Sequence, residues 1–200
     1  GVLHRREQEA EWWGAELQLT KQLFERHMLT LGGEYRDDFQ QAERFFNAET
    51  GQVFRDLSQS RQNHAVYLQG DFAVRTNLHL NAGVRYDQYT DQDPSFNPRV
   101  ALIYNPVGES VFKAIYGTAF RAPNFFEQYF DPRIEPLDPE TIATYELVYE
   151  QGIGNHLRSS VAGFYNQIDD LIRFNSDPGH QQYENLEGAE ACIATPANTS

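Results

Sequence analysis

Two hundred residues with 40% apolar content, a net charge of −13 and a single cysteine set firm limits. There is no run of about 18 apolar residues, so a membrane-spanning helix is excluded. The acidity removes nucleic acid as a partner, because no basic face is available to neutralise phosphates, and Cys192 alone can form neither an internal disulfide nor a zinc site.

A membrane β-barrel stays open on the same numbers. A spanning strand needs only about 9–11 residues, half of them polar. A mean hydropathy of −0.63 with 14% aromatic residues fits that case, and it fits a soluble β-sandwich equally well.

Strand-like alternation, a side-chain period of two, recurs along the chain. The first segment is 9–20, with Trp13, Ala15, Leu17 and Leu19 on one face and Glu16 and Gln18 on the other. Segment 26–38 sets Leu29, Leu31, Gly33 and Tyr35 against Thr30, Gly32, Glu34 and Arg36. Residues 37–62 read as a large polar loop, and 40–49 within it as a short helical turn. Segment 64–74 places Val66, Leu68 and Phe72 opposite Tyr67, Gln69 and Asp71. The clearest alternation is TNLHLNAGVRYD, 76–87: Leu78, Leu80, Ala82, Val84 and Tyr86 are apolar and every residue between is polar or glycine. Segments 97–106, 110–120, 141–150 and 156–169 follow, with Phe120 grouped beside Phe112, Ala114 and Tyr116, and 182–191 begins a ninth.

The links between these segments alternate short and long. Residues 21–26, 75–76, 106–109 and 151–155 are short; 37–62, 87–96, 121–140 and 174–182 are longer. In an up-and-down meander, successive links fall at opposite ends of the sheet, so this alternation puts all the long loops at one end. Outer-membrane barrels have short periplasmic turns and long extracellular loops, whereas a Greek-key sandwich has no reason to sort loops by length. Tyr35, Tyr86, Tyr104, Phe120 and Tyr149, near strand ends, suit an interfacial aromatic girdle. The opposite face carries Glu, Gln, Asn, Arg, His, Asp and Lys, as a wet lumen requires.

Several motifs carry a family likeness. In 97–130, NPRVALIYNPVGESVFKAIYGTAFRAPNFFEQYF, a strand opens on NPR, turns tightly, returns through YG and ends in FRAP. In 137–172 an LDPE…YE strand is followed by one carrying FYNQIDDLI, and YENLEGAE (183–190) and GVRYD (83–87) add to the pattern. The chain resembles the TonB-dependent outer-membrane receptors over about residues 11–190. The resemblance implies an all-β fold: an antiparallel up-and-down meander forming part of a transmembrane β-barrel, about 8–9 strands of a family barrel of roughly 22. Residues 1–200 are then expected to be a partial receptor barrel, with the plug domain and C-terminal strands absent from it. A receptor of this family sits in the bacterial outer membrane, in contact with its lipid. It works with the TonB complex through the plug and imports a scarce nutrient, usually a ferric siderophore, otherwise haem, cobalamin or a glycan. No catalytic residue, cofactor or resident metal is expected.

Loop 121–140 offers the ligand-binding candidates: Arg121, Asn124, Phe125, Phe126, Tyr129 and Phe130. The guanidinium would contact an anionic ligand and the rings would stack on flat groups; alternatively these residues pack the loop onto the barrel rim. The six histidines are scattered without HxxxH spacing, and His79 on the lumen side reads as a solvated residue before it reads as a haem or metal ligand. Asp169 and Asp170, adjacent on a strand, would face opposite ways and form no carboxylate dyad. Three rivals remain: a passive porin-like channel, an outer-membrane hydrolase barrel with only Ser159, Ser160 and His156 to draw on, and a soluble all-β binding protein.

Overall fold

Hairpins connect one antiparallel sheet through nearly the entire chain. The computed structural model describes residues 3–130, 136–154, 157–177 and 182–199. Part of the Pro-rich loop (131–135), the end of the fourth short link and two of the six histidines, His156 and His180, lie outside the described residues. The strands are β1 (His4–Leu23), β2 (His27–Asn47), β3 (Val53–Arg75), β4 (Leu78–Tyr89), β5 (Ser95–Tyr104), β6 (Ser110–Arg121), β7 (Glu140–Ile153), β8 (Leu157–Asp169), β9 (Leu171–Asn175), β10 (Gln182–Leu186) and β11 (Ala189–Thr199). One short helix, α1 (Phe125–Gln128), interrupts them. Nine strands form a single sheet in the order β1-β2-β3-β4-β5-β6-β7-β8-β11, and β9 with β10 makes a separate hairpin. The expected meander is therefore present, with β1 and β11 as its two edges.

Register fixes the two faces. Trp13 lies opposite Asp37 and Leu19 opposite Leu31, Leu31 opposite Leu68, Leu68 opposite Val84, Leu80 opposite Leu102 and Tyr116 opposite Tyr145. All the apolar rows thus share one side. The other side carries Glu16, Glu34, Arg36, Tyr67, Asn81, Arg85 and Asp87. Here Tyr67 Oη donates to Glu16 Oε1 at 2.7 Å, and Arg85 bonds both Asp87 and Glu34. Gly32 makes room for this lattice: a Cβ there would lie 2.1 Å from the Tyr67 ring.

Burial is inverted relative to a water-soluble domain. Among the described residues the buried apolar side chains are only Ala65, Ala101, Pro123 and Leu137, while Asp38, Glu43, Asn47, Asn63 and Asp87 are buried. Leu17, Leu19, Leu31, Val66, Leu68, Leu102 and Leu147 are exposed. An apolar patch of that extent is not left facing water; hydrocarbon on that side accounts for it. Among the described residues no second layer covers the row Leu78–Leu80–Val84. Aromatic residues mark two levels of the apolar face. Trp13 and Tyr35 pack at 5.1 Å near the long-loop end, and Phe112 and Tyr149 at 4.7 Å near the short-turn end. On β5, Phe96 and Tyr104 stand eight residues apart, roughly 26 Å along the strand. That matches the height of an outer-membrane apolar band once tilt is allowed for.

Several expectations are corrected. Residues 37–62 are not a loop: β2 and β3 run on as a long hairpin, with Phe45 opposite Arg55, and β1 extends back to pair His4 with Asn47. The helical turn expected over 40–49 is strand, because β1 and β3 pair with this stretch from both sides. A tight turn closes the tip, where Asn47 Oδ1 accepts from the Glu49 and Thr50 amides at 2.9 and 3.1 Å. The segment 182–191 is two elements, not one. Gln182–Leu186 pairs back on β9, Gly188 turns the chain at φ +128°, and the ninth strand of the sheet starts at Ala189 opposite Ile168. Asp170, at φ +57°, has left the strand that Asp169 ends. Finally, Phe120 leaves the outward row. The β5–β6 ladder stops at Arg99–Gly117, and Phe120 packs on Tyr89 of β4 with ring centroids 6.0 Å apart.

The short connections, at 24–26, 76–77 and 105–109, share one end of the sheet, and the longer ones share the other. Leu68→Arg, in the middle of the apolar face, is expected to cost about 2–4 kcal/mol of folding stability in lipid, whereas Gln69→Arg on the neighbouring inward position costs little. Urea unfolding of the two variants of the receptor carrying this segment, reconstituted in lipid vesicles, measures the difference.

Candidate functional site

At the long-loop end the chain after β6 folds inward across the polar face. Asn124 begins α1 with a capping box: its side chain accepts from the Glu127 amide at 2.9 Å, and Glu127 Oε2 accepts from the Asn124 amide at 2.8 Å. Such reciprocal capping satisfies two amides that a four-residue helix would otherwise leave open. Arg121 clamps both ends of the loop, donating to Glu127 at 2.8 Å and to both carboxylate oxygens of Glu140 at 2.6 and 2.8 Å. Glu140 also accepts from the Ile172 amide at 2.7 Å.

Arginines from β1 and β3 hold the loop from below. Arg61 Nη1 donates to the Pro123 carbonyl at 2.9 Å while its other nitrogens grip Asp91 at 2.8–3.0 Å. Arg55 donates to the carbonyls of Tyr129 and Phe130 and lies over the Phe130 ring at 5.3 Å. Arg6 lies over Phe126 at 5.1 Å. Beneath both arginines is Glu43, 1% exposed and 3.8 Å from each guanidinium. Gln8 Nε2 donates to its other oxygen at 2.9 Å. Phe126 and Phe130 also meet Tyr183 of β10, at 5.9 and 5.5 Å. The small β9–β10 hairpin is therefore tied to the same loop.

Under this loop lies an open chamber of about 800 Å³. Its floor is the inner face of β1–β4, with Arg36, Asp38, Arg61, Arg85, Asp87 and Tyr89. Its roof is Phe120, Arg121, Asn124, Phe125 and Phe126. Arg36 is bidentate on Asp38 Oδ1 at 2.8 and 3.0 Å. The volume suits a ligand of drug-like to cofactor-like size.

The six loop residues singled out from sequence divide by place. Arg121, Asn124, Phe125 and Phe126 line the chamber; Tyr129 and Phe130 hold the loop down on Arg55. The donors of Arg121 are directed at carboxylates rather than at open space. Burial and the neighbouring Asp91 carboxylate push the Tyr129 phenol above its ordinary value. The floor was missed in sequence. Its signal was the pairs Arg36/Asp38 and Arg85/Asp87, two residues apart and hence on one face of a strand. His79 is exposed on the same face but far from the chamber, and among the described residues no group of His, Cys, Asp and Glu is arranged to hold a metal.

Glu140 titrates below the usual carboxylate range because Arg121 bonds it, helped by the Ile172 amide. A carboxyl whose pKa is lower in the folded than in the unfolded state stabilises fully above its unfolded value and ceases to do so as pH falls through the lowered one. Acidification through and below the carboxylate range is thus expected to free residues 122–130 to protease. In Glu140→Gln the loop is cut at a raised rate that changes less over that range. Limited proteolysis against pH checks both outcomes.

Comparison with known proteins agrees with this architecture. The family model described as "TonB dependent receptor-like, beta-barrel" matches residues 3–191. The vitamin B12 transporter BtuB of Vibrio cholerae is 33% identical over 111 residues, which are 54% of this chain and 18% of that protein. Among solved structures, a variant of the ferric enterobactin receptor PfeA from Pseudomonas aeruginosa superposes with a TM-score of 0.75 at 16% identity, over 94% of this chain and 33% of the receptor. The copper transporter OprC gives 0.75 at 15% identity, over 96% of this chain and 35% of that protein. The chain spans about a fifth to a third of the lengths of these proteins. With a family match over almost all of its length and a single-layer meander to go with it, the chain belongs to the TonB-dependent receptor family, whose members here are transport receptors and not enzymes, and forms part of the β-barrel.

Proposed function

We propose that this chain is one wall of an outer-membrane receptor that actively imports a scarce, metal-bearing small nutrient. The observation that carries the reading is the chamber beneath the inward-folded loop 121–130. It lies on the wet side of the sheet at the long-loop end, where an arriving ligand would first meet the protein. Two open edges, β1 and β11, support a larger barrel, since hydrocarbon cannot satisfy the unpaired amides and carbonyls of an edge strand. The polar lattice on the inner face suits a surface against which a plug domain packs, and through the plug the receptor would engage the TonB complex.

The ligand is best described by class. A ferric siderophore is the expectation from sequence. The names of the similar proteins include B12, ferric enterobactin and copper, and what these share is a bound metal. Within the chamber, Phe125 and Phe126 offer rings for stacking, Arg121 and Asn124 shape the rim, and Tyr129 and Phe130 hold the loop in place.

Uptake into cells making the receptor that carries this segment tests the reading. Import of the cognate metal complex is expected to stop when an uncoupler collapses the proton-motive force and when TonB is deleted. Import that persists in both cases would assign the chain to a passive porin-like channel.

A further inference from the structure

We propose that the chamber selects a neutral or cationic ligand and rejects polyanions. This rests on the chamber's being the ligand site. Among the described residues, loop 121–140 and its supports carry six arginines, a number that at first sight suggests an anion receptor. Their partners say otherwise. Arg36 is bidentate on Asp38 and Arg61 is fully engaged by Asp91 and the Pro123 carbonyl. Arg85 bonds Asp87 and Glu34, and Arg121 bonds Glu127 and Glu140. Arg6 and Arg55 flank the buried Glu43 and lie against aromatic rings. Glu9, hydrogen-bonded to Gln40, adds a carboxylate to the lining.

Among the described residues, these eight carboxylates thus stand against six guanidiniums, an excess of two negative charges. A polyanion reaching Arg36, Arg61, Arg85 or Arg121 meets a carboxylate already hydrogen-bonded to it, and at Arg6 and Arg55 it meets Glu43, 3.8 Å from each guanidinium. Binding would either bring like charges together or evict a partner that is itself partly buried, as Asp87 is at 3% side-chain exposure. Both outcomes oppose an anion. A neutral complex meets no such opposition, and a cationic one is attracted by the excess carboxylates. The arginines serve to position the loop and to fix the carboxylates, and are not the ligand's own contacts.

Three probes of similar size separate the cases: a neutral ferric trihydroxamate, the same complex bearing a pendant ammonium group, and a ferric tris-catecholate, which carries three negative charges. Binding is measured by fluorescence quenching on the purified full-length receptor containing this segment. The neutral and ammonium complexes are expected to bind about tenfold or more tightly than the tris-catecholate, the ammonium complex losing its advantage at high salt. Glu9→Gln should narrow the gap. Tightest binding by the tris-catecholate, indifference to charge, or no binding by any probe would overturn the proposal. Phe125→Ala tests the location separately. If it weakens the bound probes while the tris-catecholate is preferred, the chamber stands and the charge class fails. If binding ignores this substitution altogether, the chamber itself is the wrong site.

Discussion

Hydrocarbon offers no hydrogen bonds, so a chain that faces it must pair every amide and carbonyl within itself. A helix does this locally. No helix among the described residues is long and apolar enough to cross a membrane, which leaves the sheet. Once backbone pairing is delegated to neighbouring strands, the side chains are sorted by the pleat alone: one side apolar, the other free to be polar. Nearly everything else in the molecule follows from that sorting. It accounts for leucines left bare on one face and for buried acids on the other. It also accounts for a fold with almost no core in the ordinary sense.

The polar side has its own logic. Charged groups there are not scattered; they are cross-linked from strand to strand, Glu16 to Tyr67, Glu34 to Arg85, Asp71 to Asn81. Toward the long-loop end this lattice continues upward beyond the apolar band on the extended β2–β3 hairpin and on the start of β1, and becomes the platform on which loop 121–130 lies. The loop is therefore fixed by the same kind of contact that stiffens the wall. Pro123 is fully buried at its base, and its carbonyl is one of the Arg61 contacts. A chamber built this way inherits the electrostatics of the wall. That is why the state of the arginines matters more than their number.

Much of this was legible in the sequence, and the gaps have physical causes. Within the band, lipid on one side forces strict alternation, and segments such as 78–87 declare themselves. Beyond the band both faces are wet, the period of two fades, and residues 37–62 read as loop although they are strand. Pairing with β1 and β3, which local residues do not reveal, decides that stretch. The division of 182–191 depends on the positive φ of Gly188 and on the turn at Asp170, and an apolar pattern carries neither. For the candidate site, FRAP and the aromatic run marked the loop that roofs the chamber. The partners of Arg121 are 6 and 19 residues away, and those of Arg55 lie more than 70 residues on. Sequence therefore named the loop over the chamber without showing that its guanidinium was already engaged.

The sidedness of the sheet is the claim on which the rest depends, and strand β4 offers the direct measurement. In a cysteine-free background that includes Cys192→Ser, residues 78 to 87 of the full receptor are replaced one at a time by a spin-labelled cysteine in lipid vesicles. Collision with oxygen, which concentrates in lipid, and with a water-soluble nickel chelate is then recorded. The account predicts a period of two, with labels at positions 80, 82, 84 and 86 meeting oxygen and those at 81, 83, 85 and 87 meeting the chelate or sheltered from both reagents. Labels at positions 80, 82 and 84 that meet neither reagent, or that meet the chelate, would contradict it.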